Sequence, residues 1–316
     1  MRGRFGRHCS FRPRLEVLED RTCPSVSAAV YFGNTLVIVG DAGNDAVTVT
    51  DDGAGGISGT ILGSTNTASA SGTGIKNVLI NTKGGDDSVN FTLNGPLTSR
   101  LNLAIDLGAW QDTSTNKNSV TLNLNQPISA PYLNVGILGT AGQDTVSVSL
   151  GSITNSYVAI YAALLGNDDN FSATVNGDIN GYSALAMAVF GGSGNDSISA
   201  SINGNVSANS AVGVFLDGGY GDDAVSFTYS GQLNGHLGVA LLGGPGNDTV
   251  SANITADSGS TGHVAAYVAG GDGDDTLTLN INDNSGGTLD VGFALIDGGP
   301  GTNTCTKTSN VTAINC

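Results

Sequence analysis

The sequence predicts an all-β fold, a right-handed parallel β-solenoid (β-helix) of about nine coils of 25–28 residues. Three observations lead to this prediction. A glycine-rich phrase of nine residues recurs at a fixed period, a short alternating strand pattern follows each copy, and the repeats show neither helical periodicity nor helix caps.

The glycine-rich phrase has four well-matched copies, which read GGSGNDSIS, GGYGDDAVS, GGPGNDTVS and GGDGDDTLT. Their central aspartates lie 27, 25 and 27 residues apart, which indicates a structural repeat. These aspartates are Asp196, Asp223, Asp248 and Asp275. Looser copies extend the repeat in both directions, and they begin at Gly40, Lys83, Gly139, Leu165 and Gly298.

Each unit contains two strand-like runs. The first alternates aliphatic with Ser, Thr or Asn residues, as in TVSVSL from Thr145, and predicts a strand with one buried face. The second is more apolar, as in VAIYAALLG from Val158. If equivalent strands stack in parallel, two inward columns follow: Ile198, Val225, Val250 and Leu277 in one, and Val214, Val239, Ala266 and Phe293 in the other. An antiparallel sandwich is the competing arrangement, since it also contains regularly spaced strands.

The chain divides into four segments on this interpretation. Residues 1–24 form a disordered leader, 25–75 an irregular N-terminal repeat or cap, 76–304 the solenoid, and 305–316 a C-terminal cap. We expect this cap to fold over the last coil without beginning another, because Asn303 replaces the aspartate of the phrase. No run approaches 18 consecutive apolar residues, so no transmembrane segment is expected.

The charge distribution restricts the partners. Outside the basic leader, residues 22–316 contain five basic and 24 acidic residues, and every acid is aspartate. Aspartates stacked about 5 Å apart repel one another by roughly 1 kcal/mol in water, and by more at lower dielectric. The stack therefore needs counter-cations or shifted protonation, and nucleic acid is excluded as a partner.

The four copies resemble the GGxGxDxUx repeat of RTX (haemolysin-type) calcium-binding proteins. That resemblance implies a β-roll whose turns hold Ca²⁺ between stacked coils, with carboxylate and backbone carbonyl oxygens as ligands. Mapped onto this chain, the implied carboxylate ligands are Asp196, Asp223, Asp248 and Asp275, with weaker candidates Asp45, Asp87, Asp144 and Asp169. The implied carbonyl ligands are those of Gly192, Gly194, Gly219, Gly221, Gly244, Gly246, Gly271 and Gly273.

The chain departs from the RTX pattern in one respect. RTX nonapeptides run in tandem, whereas 16 to 18 other residues follow each copy here, so only one edge of the solenoid can bind metal. The alternative is that the Gly-Asp turns are purely structural and hold no ion.

The N-terminal segment RPRLEVLEDRTCPSV, from Arg12, resembles the LExLEDR segment that opens many planctomycete exported or cell-surface repeat proteins. The resemblance implies an extracellular or cell-surface location, although residues 1–24 lack the apolar core of an ordinary signal peptide. A disulfide between Cys305 and Cys316 would pin the C-terminal end in such a compartment, the alternative being two free thiols.

The leading interpretation is thus an extracellular or cell-surface structural repeat protein that binds Ca²⁺, with cell-envelope components or a second copy as further partners. The alternative is a metal-free structural, adhesive or ice-binding-like solenoid that uses the Ser, Thr and Asn ladder on the outside of the first strands. No catalytic constellation is present in the sequence, so we expect no enzyme, and a polysaccharide-active β-helix enzyme is less favoured.

Overall fold

The computed structural model describes residues 26–64, 66–109 and 115–316, and all regular structure in these residues is β-strand. The predicted disordered leader, residues 1–24, lies outside the described residues. The strands are Ser27–Tyr31 (β1), Thr35–Val39 (β2), Ala46–Asp51 (β3), Ile57–Leu62 (β4), Thr67–Gly72 (β5), Asn77–Asn81 (β6), Ser88–Leu93 (β7), Leu101–Asp106 (β8), Lys117–Leu124 (β9), Tyr132–Thr140 (β10), Gln143–Leu150 (β11), Ile153–Thr154 (β12), Tyr157–Gly166 (β13), Asn170–Asn176 (β14), Ile179–Asn180 (β15), Ala184–Ser193 (β16), Ser197–Asn203 (β17), Ala211–Tyr220 (β18), Ala224–Gly231 (β19), His236–Pro245 (β20), Thr249–Ala256 (β21), His263–Asp272 (β22), Thr276–Asp283 (β23), Asp290–Asp297 (β24), Thr304–Lys307 (β25) and Thr312–Ile314 (β26).

The strands form a β-solenoid of about eight turns, which confirms the predicted fold class. The apolar second strand of each unit joins one 12-stranded sheet, here called sheet A, in the order β1-β2-β6-β8-β10-β13-β16-β18-β20-β22-β24-β26. The alternating first strand joins a second 12-stranded sheet, sheet B, in the order β25-β23-β21-β19-β17-β14-β11-β9-β7-β3-β4-β5. A narrow third side carries the β12–β15 pair and single bridges, such as that between Val206 and Leu233.

The predicted inward column in sheet B is present. Ile198, Val225, Val250 and Leu277 pair in register, and each is at most 1% exposed. The core consists of such columns of Val, Ile, Leu and Phe between the two sheets. Each buried aliphatic side chain contributes about 1.5–3 kcal/mol to folding, so the stack is held mainly by its core.

The predicted column in sheet A is wrong at its last member. Val214, Val239 and Ala266 pair in register and are buried, but the residue that follows them is Ala294. The register shifts between Val264 and Ala265, so that β24 contains one extra residue and Phe293 faces outward, 51% exposed. A bulge of this kind reverses the face that each later residue occupies.

The N-terminal part of the described chain contains antiparallel strands. β1 pairs with β2, and β3, β4 and β5 form an antiparallel meander at the end of sheet B. From β6 onward every pairing within the two large sheets is parallel. Among the described residues, these antiparallel strands lie at the N-terminal end of the two stacked sheets.

The C-terminal tail differs from the prediction, because it does begin another coil. β25 pairs in parallel with β23, and β26 pairs in parallel with β24. Cys305 stacks beside Leu277 and forms a disulfide with Cys316, with Cα atoms 5.7 Å apart. The side chain of Asn303, which replaces the aspartate, still accepts a hydrogen bond from the amide of Asp275 in the previous coil, at 2.9 Å.

Replacing Cys305 should loosen this last, short coil first. A bridge across a loop of this length stabilises by roughly 2–3 kcal/mol. In Cys305→Ser we expect faster hydrogen exchange over β24–β26, while the central coils keep their protection, because each coil contacts only its neighbours. Unchanged exchange in the tail, or a uniform increase along the whole chain, would contradict this role.

The outer faces of the two sheets differ sharply. On sheet B the outward residues are small and polar, and they form ladders such as Ser201 Oγ to Thr174 Oγ1 at 3.2 Å and Asn280 Nδ2 to Asn253 Oδ1 at 3.0 Å. On sheet A the central outward position is apolar in ten successive strands, a set we call the apolar column. It consists of Val37, Leu79, Ala104, Gly136, Tyr161, Ala188, Phe215, Ala240, Tyr267 and Leu295.

Candidate metal centre

The sixth residue of each glycine-rich phrase lies on one edge of the solenoid, just before a sheet B strand. Its side chain turns inward, and the aspartates at this position are 1–3% exposed. We call this set the inner column. It consists of Asp45, Asp87, Asn118, Asp144, Asp169, Asp196, Asp223, Asp248, Asp275 and Asn303.

The inner column is held by side-chain to backbone hydrogen bonds between coils. The amide of Asp196 donates to Oδ1 of Asp223 at 2.7 Å, and the amide of Asp223 donates to Oδ1 of Asp248 at 2.7 Å. The same bond recurs from Asp248 to Asp275 at 2.9 Å. Each Oδ1 thus satisfies a buried amide of the preceding coil, which would otherwise cost about 1–3 kcal/mol.

The fifth residue of the phrase forms a second ladder, the outer column, on the solvent side of the same turns. Its hydrogen bonds run in the opposite direction, since the amide of Asp222 donates to Oδ1 of Asn195 at 2.8 Å in the preceding coil. The amide of Asn247 likewise donates to Asp222 Oδ1 at 2.7 Å. Aspartate and asparagine alternate along this exposed ladder from Asp168 to Asp274, so adjacent coils avoid like charges here.

The second and fourth glycines let the turns stack. In the coil of Asp248 these are Gly244, with φ +120°, and Gly246, with φ +151°. A Cβ at either position would overlap the carbonyl oxygen of the matching glycine in the preceding coil. Only glycine combines this backbone conformation with such a close approach.

The second position also decides the environment of the other carboxylate oxygen, Oδ2. In the loose copies with Asp41 or Thr140 at this position, the amide of that residue donates to the aspartate Oδ2, at 2.8 Å to Asp45 and 2.6 Å to Asp144. In five other coils the second residue has a positive φ, and Oδ2 is buried with no hydrogen-bond partner. These five aspartates are Asp169, Asp196, Asp223, Asp248 and Asp275.

Carbonyl oxygens lie beside these unpartnered atoms. A Cβ on Gly191 would overlap both Asp196 Oδ2 and the carbonyl oxygen of Gly218, so the two oxygens border one point. The first glycines of the third and fourth phrases, Gly243 and Gly270, border Oδ2 of Asp248 and Asp275 together with a carbonyl oxygen in the same way. A buried carboxylate oxygen without a donor needs a proton or a cation beside it.

Burial is the main cause of the raised pKa values in the inner column. It raises the pKa of Asp196 and of Asp248 to about 7, opposed by the amide hydrogen bond and assisted by neighbouring aspartates. The same causes raise the pKa of Asp169 to about 9, and burial raises the pKa of Asp223 and Asp275. These carboxyl groups are therefore favoured in the protonated form, or in the ionised form with a cation that neutralises the charge.

The structure places the predicted ligands in two groups. The carboxyl groups of the inner column are stacked one per coil, and within the described ranges no three Asp, Glu, His or Cys side chains converge on one point. The carbonyl oxygens of the second and fourth glycines lie against the matching glycines of the next coil. The carbonyls beside the carboxylates belong instead to the first glycines, a position that the sequence analysis did not include, although its recurrence was visible there.

Comparisons with protein-family models, with curated proteins and with solved structures find no match to this chain. The class of the protein is therefore defined by its own geometry. It is a parallel β-solenoid with a buried aspartate ladder along one edge.

Proposed function

We propose that this chain is a non-catalytic structural repeat protein, exported or attached to the cell surface, whose inner column binds Ca²⁺. The observation that carries the proposal is the row of buried, unpartnered Oδ2 atoms in consecutive coils. It occurs in the four well-matched nonapeptides and in the loose copy at Asp169, where the second residue has a positive φ, whereas Oδ2 of Asp45 and of Asp144 accepts a backbone amide. The resemblance of the phrase to RTX repeats and of the leader to exported proteins supports the same conclusion.

The residues present fit a hard cation in their chemistry. Ca²⁺ takes six to eight oxygen ligands, in part from backbone carbonyls. Each of the four well-matched coils offers one buried carboxylate oxygen without a partner, and carbonyl oxygens border those of Asp196, Asp248 and Asp275. No basic side chain hydrogen-bonds any of these Oδ2 atoms. Asp196, Asp223, Asp248 and Asp275 would hold the ion, which would supply positive charge to a stack of buried carboxylates.

The proposed binding couples folding to external calcium. A ligand that binds only the folded state stabilises it by about 2.7 kcal/mol at a hundredfold excess over Kd. For a chain of this size this corresponds to a rise in Tm of about 4 °C. Mg²⁺ should stabilise less, because it requires a small octahedral site and retains its waters.

The test is thermal unfolding in Ca²⁺, in Mg²⁺ and in chelator, for the wild type and two double variants. Asp223→Asn with Asp248→Asn should lose most of the calcium effect and still fold, because Asn118 and Asn303 already accept the same amide bond with Oδ1, at 2.9 Å each. The matched control, Asp222→Asn with Asp274→Asn, removes two charges from the outer column and should keep the effect. Identical melting of the wild type in calcium and in chelator would refute the calcium proposal.

A second candidate function is a metal-free structural rod. Its support is the series of bonds from backbone amides to Oδ1 atoms, which needs no ion and which Asn118 and Asn303 reproduce with a neutral side chain. On this candidate the inner double variant would unfold at the same temperature with and without Ca²⁺, and so would the wild type.

A further inference from the structure

The strands of sheet A have the amino-acid pattern of strands that are buried on both faces. Parallel strands that are buried on both faces read as nearly continuous apolar runs, whereas strands with one wet face alternate. The five sheet A strands β13, β16, β18, β20 and β22 read YVAIYAALLG, ALAMAVFGGS, AVGVFLDGGY, HLGVALLGGP and HVAAYVAGGD. They lack the alternation of apolar and polar residues that is typical of the strands of sheet B. One face of these strands packs on the core, and the other is open in the single chain.

The open face is apolar over a long distance. Within β13–β24 the apolar column contains Tyr161, Ala188, Phe215, Ala240, Tyr267 and Leu295, and the neighbouring outward position is alanine, glycine or Phe293. Tyr161 is 51% exposed, and Tyr161, Phe190 and Phe215 form a chain of tilted rings with centroids 5.7 and 5.4 Å apart. Contiguous exposed apolar patches on soluble proteins mark interaction sites.

The relief of the apolar column is regular. Aromatic side chains stand in every second coil, at Tyr161, Phe215 and Tyr267, and the coils between them carry Ala188 and Ala240. Equivalent strands are about 4.8 Å apart, so these aromatic side chains recur at about 9.6 Å. The ring of Phe190 lies between those of Tyr161 and Phe215, so the open hollow is the one over Ala240, between Phe215 and Tyr267. A ridge beside a hollow fits a second copy of the same surface related by a two-fold axis, because each ridge then enters the hollow of the other copy.

The extent of the face is also sufficient. Ten strands at about 4.8 Å give a length of roughly 43 Å, and three outward positions give a width of about 20 Å, so each copy would bury on the order of 860 Å². A stable specific interface buries about 800 Å² per partner. The apolar column itself contains no charged residue, while Asp106, Asp217 and Asp297 stand at the next outward position along their strands. The face therefore has an apolar centre and a partly polar margin, as protein interfaces usually have.

We propose that two copies of this chain associate through the outer faces of sheet A, with Phe215 of each copy seated over Ala240 of the other. The chemistry of the face favours a protein partner over a glycan. Apart from the tyrosine hydroxyls, the apolar column carries no side chain that can form hydrogen bonds.

The test is sedimentation equilibrium of the full chain over a range of about 1–50 μM, around the Kd of a moderate interface. We expect a dimer. Phe215→Asp should raise its dissociation constant by roughly thirtyfold or more, as for a hot-spot aromatic residue. Ser226→Asp is the matched control, since Ser226 faces outward at the middle of a sheet B strand, and it should leave the dimer unchanged.

A second pair of measurements tests the interlocking and the fold of the variants. Ala240→Trp fills one hollow and should weaken association, whereas a merely sticky face would associate more strongly. Circular dichroism of each variant should match the wild type, and Tyr267→Ser should reproduce the loss without adding a charge. A monomeric wild type at about 50 μM, a dimer that survives Phe215→Asp, or tighter association of Ala240→Trp would overturn the proposal, as would a monomer that binds glycan or lipid through Phe215.

Discussion

Gly244→Ala should unfold the central coils at markedly lower urea concentration than the wild type. The alanine would occupy a backbone with φ +120°, which costs about 1–3 kcal/mol for a residue with a side chain. Its Cβ would also overlap the carbonyl oxygen of Gly219, and relieving such an overlap costs a further 1–3 kcal/mol, roughly. We expect a total loss of about 3 kcal/mol or more in the free energy of unfolding.

The same strand supplies the control. Gly238 lies in β20 six residues earlier, has no positive φ, and a Cβ there would find only the carbonyl oxygen of Val212, at 3.9 Å. Gly238→Ala should therefore leave the free energy of unfolding unchanged or raise it by up to about 1 kcal/mol, because alanine lowers the conformational entropy of the unfolded chain. The comparison is made by urea unfolding monitored by circular dichroism. Equal midpoints for the two variants would show that the glycine turns do not depend on close stacking.

The metal-free protein should lose stability as the pH rises from about 5 to about 9. An aspartate in an unfolded chain has a pKa of about 3.9. In the folded chain burial raises the pKa of Asp45 to about 6, of Asp196 and Asp248 to about 7, and of Asp169 to about 9. The folded state thus binds more protons than the unfolded state over this interval, and the stability from these groups is present at low pH and disappears as the pH passes through their folded values.

The measurement is Tm in chelator at constant ionic strength. We expect a fall of at least about 5 °C across the interval, since each unit of pKa shift corresponds to about 1.4 kcal/mol. Asp196→Asn with Asp248→Asn should flatten the profile, while Asp222→Asn, in the exposed outer column, should not. Calcium should restore most of the loss at the alkaline end if it binds the same oxygens. A Tm that is constant or rises with pH would contradict a buried carboxyl ladder.

The fold could be predicted from two features of the repeat, which are the regular spacing of the glycine-rich phrase and the alternation of apolar and polar residues in the strand that follows it. Ile198 and Leu277 are separated by three units, yet the spacing alone places them in one inward column, as the structure confirms. The error at Phe293 has a local cause. The extra residue in β24 is compatible with the spacing of the aspartates, which tolerates 25 to 28 residues, so counting from the phrase could not locate the bulge.

The chemistry of the edge was less predictable than the fold. The sequence indicated that Asp223 lies in a turn with glycines. It did not indicate that the side chain faces the core, that Oδ1 accepts a backbone amide, or that Oδ2 has no hydrogen-bond partner. Whether Oδ2 finds a partner is associated with φ at the second residue, here Gly219, which is a property of the folded stack. The apolar column escaped notice for a related reason, because a continuous apolar run such as that of β16 does not reveal which of its faces is open.

The two ladders of opposite direction have a consequence for the size of the molecule. Each coil obtains an amide acceptor from the coil after it through the inner column, and another from the coil before it through the outer column. Nothing in the middle of the rod depends on more distant coils, and the specialised features, the antiparallel strands and the disulfide, lie at the two ends. Duplication or loss of one 25–28 residue unit would therefore bring equivalent coil surfaces into contact. The length of the solenoid can thus change in evolution in steps of about 4.8 Å without other substitutions in the coils.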